Sequence, residues 1–297
     1  TTDCALGTDL RFDETKMTST WNYVNKIWNA SRFVLMNIES LKEYDFSSLT
    51  NEDKWILTCL QKLIKSTTKH MENYEFNLVG AETSDFIWND LCSNYIEFAK
   101  FNIDNISTKS TLCYVLSSVM KMLHPFMPFV TEEIYDMLPI KESESIMISE
   151  YPEYNKDFIF KDETDLVEQK IEFIKSFRNI KAENGISKDA KVKINNKDDI
   201  ILKMLKIEDN LVEEELNINS YNVKYGDIEA IIYYEKVVTE EEKALKEKQI
   251  NDLKASIERR KKLLANENYV NKAPANLVQK EKETLEKEIS DLELLQK

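Results

Sequence analysis

Five cationic side chains, Lys254, Arg259, Arg260, Lys261 and Lys262, fall close together near the C-terminus, with Glu258 the only acid among them. Lys and Arg at that density can meet the phosphates of any nucleic acid, contacts that position a polyanion without reading its sequence. The same run also suits the wetted face of a charged helix, and the residues alone leave both readings open. Near the other end, Asn29, Arg32 and Phe33 form a second group. An Asn amide offers a donor and an acceptor to a base edge. Phe33 falls one position off the apolar stripe of its segment, where a ring could stack on an unpaired base. Bond-making chemistry has no comparable signature. The chain holds no glycine-rich phosphate cradle, no HExxH, no GxSxG and no compact His–carboxylate set.

The elements that must carry these groups are read from composition and periodicity. The sequence has 297 residues, 42% hydrophobic, with only 4 Gly and 5 Pro. That favours long helices in two or three domains over a parallel sheet with glycine-rich ligand loops. A formal net charge of −14 argues against a general nucleic-acid coat, but attraction depends on where charge sits. A second basic stretch, 176–197, sets Arg178, Lys181, Lys188, Lys191, Lys193 and Lys197 against Glu183 and Asp189. No run approaches the apolar length of a membrane span, so none is expected. The start has neither a basic opening nor an apolar core, and no initiator Met, so no secretory signal is expected and the chain reads as a fragment of something longer. Cys4, Cys59, Cys92 and Cys113 form no CxxC pair, and three sit in amphipathic runs as small buried thiols, which points to a reducing, cytoplasmic setting. His70 and His124 lack ligand spacing, so no zinc is expected.

Along the chain, Asp13 is placed to cap a helix reaching Ile38, with Met17, Trp21, Val24, Trp28, Leu35 and Ile38 as its inward stripe and both tryptophans in the core. Helices follow over 52–73, over 76–100 with Phe76, Phe86, Trp88, Tyr95 and Phe98 as anchors, and over 109–123 behind a Ser107 or Thr108 cap. "HPFMPF" kinks the last of these before "VTEEIYDML" resumes, with His124 at a helix terminus. Together they read as a helical bundle. A link with extended character around Ile146–Ile148 leads to a small α+β module over 162–235: a helix stopped by Gly185, a strand at "AKVKINN", a helix from Asp198 towards Leu216, and weak strand signals beyond. Residues 240–265 and 275–297 then form an antiparallel coiled-coil hairpin. Ile250, Leu253, Ile257 and Leu264 face Val278, Leu285, Leu292 and Leu295, the first set is interrupted by Arg260, and "NENYVNKAP" is the reversal.

Three segments carry a family resemblance. "GTDLRFDETKM…NYVNKIWNASRFVLMNI", with "FIWNDLCSNYIEFAK" and "LHPFMPFVTEEIYDML", resembles the region after the catalytic core in bacterial valyl-tRNA synthetases, class I aminoacyl-tRNA synthetases. "KLLANENYVNKAPANLVQKEKETLEK" is similar to the C-terminal coiled coil of the same family, and "YYEKVVTEEE" departs from the usual entry to that arm. The resemblance implies a mainly α chain: a tail over 1–11, an anticodon-binding bundle over 12–150, a linker and small α+β module over 151–235, and a tRNA-binding arm over 236–297. It implies anticodon contacts at Asn29 and Phe33, phosphate neutralisation by Arg32, and a partner tRNA specific for valine, bound by a monomer without a membrane. It also implies a whole enzyme that joins L-valine to its tRNA with ATP. The family's "HIGH"-like and "KMSKS"-like motifs and its editing domain are absent from this sequence, so no cofactor is expected within it. The competing expectation is a coiled-coil interaction scaffold that does not touch RNA.

Overall fold

The computed structural model describes residues 14–234, 240–265 and 275–296, and the chain divides into two compact units, Thr1–Tyr234 and Glu235–Lys297. The expected Asp13 cap and Cys4 lie outside the described residues. The architecture is mainly α, with one three-stranded antiparallel sheet.

In the first unit, α1 (Glu14–Ile38) turns Ile27, Ser31, Val34 and Ile38 inward, against α5 (Ile106–Leu123). Trp21 and Trp28 are not core: they are 66% and 41% exposed, and Met17 is exposed too. At 3.6 residues per turn, their stripe lies roughly 80° round the helix from the aliphatic one. Both stripes are helical in period, and the β-branched one is the stripe that meets the bundle.

α2 (Asn51–Glu72) begins in a capping box, with Thr50 Oγ1 accepting from the Asp53 amide and Asp53 Oδ2 from the Thr50 amide. Asp53 is buried, and its carboxylate also accepts from Tyr95 Oη at 2.6 Å and Thr108 Oγ1 at 2.9 Å. Burial is tolerable for this charge because each oxygen is satisfied. The same group pins three segments together. Burial and the Asp53 charge beside it raise the Tyr95 phenol well above its ordinary range.

The expected 76–100 helix is broken in type. α3 (Phe76–Asp85) passes into a π-helix over Phe86–Tyr95, and α4 (Ile96–Ala99) ends it. Ser93 and Asn94 donate to the carbonyls of Trp88 and Asn89, five residues back, and so satisfy backbone acceptors in the wider turns. Phe86, Tyr95 and Phe98 are core, while Phe76 and Trp88 are exposed. α5 is capped by Asn105, whose Oδ1 accepts from the Ser107 amide, rather than by Ser107 or Thr108. α6 (Pro128–Asp136) starts afresh at a proline, and His124 Nδ1 joins Thr131 Oγ1 at 2.7 Å across the break. The Ile146–Ile148 link is a 3-10 turn, not an extended segment, with Ile146 buried.

α7 (Lys161–Glu183) serves two cores. Val167 and Ile171 pack with the bundle, whereas Phe173 and Phe177 pack under the sheet. Gly185, at positive φ, follows its end. The sheet order is β1 (Lys191–Ile194), β3 (Ile228–Tyr233), β2 (Ser220–Tyr225). α8 (Asp199–Leu205) is shorter than expected, because Lys206 turns left-handed and ends it. Beyond a 3-10 turn at Glu208–Asn210 the chain lies along β1, where the Val212 amide donates to the Val192 carbonyl. That bond draws the segment away from helix.

The second unit pairs α9 (Glu240–Ala265) with α10 (Ala275–Gln296). Ser256 bonds Glu288, while Arg260, further along α9, also reaches Glu281, earlier on α10, so the helices run antiparallel. Ile257 is buried, and Ile250, Leu253, Leu264, Leu285 and Leu292 are half-buried. The expected reversal over 266–274 and the side chains of Val278 and Leu295 lie outside the described residues.

Candidate nucleic-acid interface

Asn29 and Phe33 line one groove of 480 Å³, formed by α1 on one side and the π-helix and α4 on the other. Asn22, Asn25 and Lys26 continue the α1 wall, and Cys92, Ile96, Glu97 and Lys100 make up the opposite wall. Residues 22, 26, 29 and 33 share this face because they recur at helical spacing. Asn22, Asn25 and Asn29 are exposed, and among the described residues no hydrogen bond engages their side chains. Phe33 is half-buried: one side packs on the bundle core, and Lys100 Nζ stands 5.6 Å from its ring centroid. Its carbonyl accepts from Asn37 Nδ2 at 2.7 Å.

The two lysines are held differently. Lys26 Nζ sits 3.6 Å over the Trp88 ring and donates to Trp88 O and Ser93 Oγ, so the π-helix fixes it. Trp88 in turn stacks on Tyr23, whose buried phenol is pushed up to about 12. Lys100 Nζ pairs with Glu97 Oε1 at 2.6 Å. An aromatic floor, amides with free donors and acceptors, and two cations within reach suit one unpaired nucleotide. Arg32 is exposed on α1 but does not line the groove. Lys26 was legible from its spacing to Asn29. Glu97 and Lys100 are brought in by tertiary folding and had no local signal.

On the second unit, Lys254, Arg259 and Lys261 are exposed, and none has an ion pair among the described residues. Lys262 pairs with Glu258 one turn back, both well exposed, a contact of little strength in water. Arg260 differs. It is half-buried in the helix–helix seam, with its guanidinium on Glu281 and, at 3.1 Å, on Glu288. Its hydrogen bonds to Glu281 and Glu288 hold its pKa above the ordinary arginine value. Its place in the apolar repeat is thus filled by an ion pair across the hairpin.

No group of three or more His, Cys, Asp or Glu side chains is arranged for a metal among the described residues, and no described helix is long and apolar enough to cross a membrane. Cys59, Cys92 and Cys113 are free. Cys113 is buried and the other two are half-buried, and burial raises all three thiols.

Comparison with known proteins adds an independent finding. A family model described as the anticodon-binding domain of tRNA ligase matches residues 53–196, and one described as the valyl tRNA synthetase tRNA binding arm matches 239–297. The groove's α1 wall lies before the first matched range. Similar curated proteins include the valine--tRNA ligases of Listeria innocua, 38% identical over 99% of this chain, of Mesoplasma florum, 35% over 99%, and of Bacillus subtilis, 36% over 100%. The chain spans 37%, 36% and 36% of their respective lengths and matches the C-terminal portion.

Proposed function

We propose, from the premise that this chain belongs to the valine--tRNA ligase family and corresponds to its C-terminal portion, that it binds tRNA through two separate surfaces. The α1 groove takes an anticodon base, with Phe33 stacking, Asn29 at the base edge and exposed Arg32 on nearby backbone. The hairpin, working as a coiled-coil arm, meets the phosphates of the outer corner of the tRNA through Lys254, Arg259, Lys261 and Lys262, with Arg260 holding its two helices together. The domain limits proposed are a tail over 1–11, the anticodon-binding bundle over 12–150, the linking module over 151–235 and the arm over 236–297.

The observation that carries this reading is the groove itself: a stacking ring and unengaged amides on the chain whose neighbouring bundle matches an anticodon-binding family model. In the whole enzyme, we propose, L-valine is joined to its tRNA at the expense of ATP, with AMP and diphosphate released, at aminoacylation and editing sites outside this sequence. We further propose valine-specific tRNA as the partner, a monomeric state and a cytoplasmic setting, the last supported by the free thiols.

The test is sedimentation with and without tRNA, alongside amino-acid-dependent pyrophosphate exchange. A monomer shifted by tRNA and devoid of exchange supports the reading. A stable dimer indifferent to tRNA would favour an interaction scaffold instead.

A further inference from the structure

The polar groups that line the α1 groove differ in what they can discriminate. Asn22, Asn25 and Asn29 carry amides, each with a donor and an acceptor, so rotation lets them satisfy any base edge. Lys26 and Lys100 only donate. Among the described residues Glu97 is the one carboxylate lining the groove, and an ionised carboxylate only accepts. It stands on the wall opposite the asparagines, partly exposed, with Lys100 Nζ 2.6 Å away to hold its orientation.

We infer that Glu97 is a specificity-determining residue of this groove: it selects a base that presents an exocyclic amine and rejects uracil. Cytosine, adenine and guanine each offer an amine on the Watson–Crick edge. Uracil offers one N–H flanked by two carbonyl oxygens, which a carboxylate repels. Lys100 acts as a positioning residue through Glu97. The inference deepens the proposed anticodon reading and rests on it.

The experiment uses the full chain, with fluorescence anisotropy on anticodon stem-loop RNAs in which each anticodon position is set in turn to C, A, G and U. At one position the wild type is expected to bind an amine-bearing base about 10-fold more tightly than U, within the range for a good base-edge contact. Glu97→Gln should reduce that ratio below about 2-fold by improving the U loop, because a Gln amide both donates and accepts. Lys100→Gln should reduce the ratio less. If Glu97→Gln keeps the wild-type ratio while Phe33→Ala weakens every loop, the groove binds a base and Glu97 does not choose it. If no loop binds, or Phe33→Ala changes nothing, the anticodon reading falls and this inference with it.

Discussion

Two basic stretches of this chain meet different ends. Within 176–197, Lys193 reaches Glu215 and Lys197 reaches Glu213, both acids of the segment that lies along β1, while Arg178 donates to the Met204 carbonyl and Lys181 stands over the Phe177 ring. Within 254–262, the fold uses Arg260 for its own seam and leaves Lys254, Arg259 and Lys261 without an ion pair among the described residues. Equal charge in sequence is therefore unequal charge for a partner. A cation facing its own acids brings little to a polyanion, because those acids remain beside the site and repel it. Lys254, Arg259 and Lys261 make no such pair among the described residues.

The largest effect should come from breaking that difference directly. Changing Lys254, Arg259 and Lys261 together to Gln should lower tRNA affinity roughly 10- to 100-fold near physiological salt and flatten the salt dependence by about two to three phosphate contacts. Changing Lys193 and Lys197 together to Gln in the module should cost less than about 3-fold. Filter binding across a salt series measures both. Equal losses would erase the contrast.

Next in size is Phe33→Ala in the α1 groove. Loss of a stacking platform is worth about 1–3 kcal/mol per base, or roughly 5- to 150-fold, and should fall on tRNA with the valine anticodon more than on anticodon variants. Its salt slope should match the wild type, since no phosphate contact is removed. Competition binding distinguishes the two.

The hairpin's seam supplies a third test. Arg260→Met removes the cation that two carboxylates share, leaving Glu281 and Glu288 facing each other without it. Thermal melting followed by circular dichroism should lose part of the helical signal at lower temperature. The double change with Glu288→Leu should recover part of it, because an apolar pair fits the repeat.

The smallest effect concerns the bundle. Burial, aided by Asp85, raises the Asp90 carboxyl to about 6. The folded state then holds this proton where the unfolded chain has lost it, so the group's contribution to stability falls as pH rises from about 4 through about 6. Asp90→Asn should stabilise the protein on the order of 1 kcal/mol at pH 7.5, and the gain should vanish near pH 4. Melting temperature against pH, for both proteins, reads the difference.

Much of the fold is legible in the sequence where local chemistry decides. Gly185 marks a helix stop and "HPFMPF" a helix break, and both fall where the residues place them. Three features are not legible, each for a physical reason. Two helical stripes compete on α1, and periodicity cannot say which one meets a neighbour, so it places Trp21 and Trp28 inside. The π-helix widens a turn without changing the composition that signals helix. The segment after Lys206 has helix-forming residues, yet a backbone bond to β1 outweighs propensity. At the groove, Asn29 and Phe33 can be found on one helix, but Glu97 and Lys100 reach it only through the fold.

The central claim is a division of labour: the α1 groove reads a base, while the arm holds phosphate. One set of measurements tests it most directly, namely the affinity of wild type, Phe33→Ala and the arm triple variant for cognate and anticodon-altered tRNA at two salt concentrations. The division predicts that Phe33→Ala lowers anticodon selectivity with an unchanged salt slope, and that the arm variant lowers the slope with unchanged selectivity. Loss of both properties in both variants, in similar proportion, would contradict it.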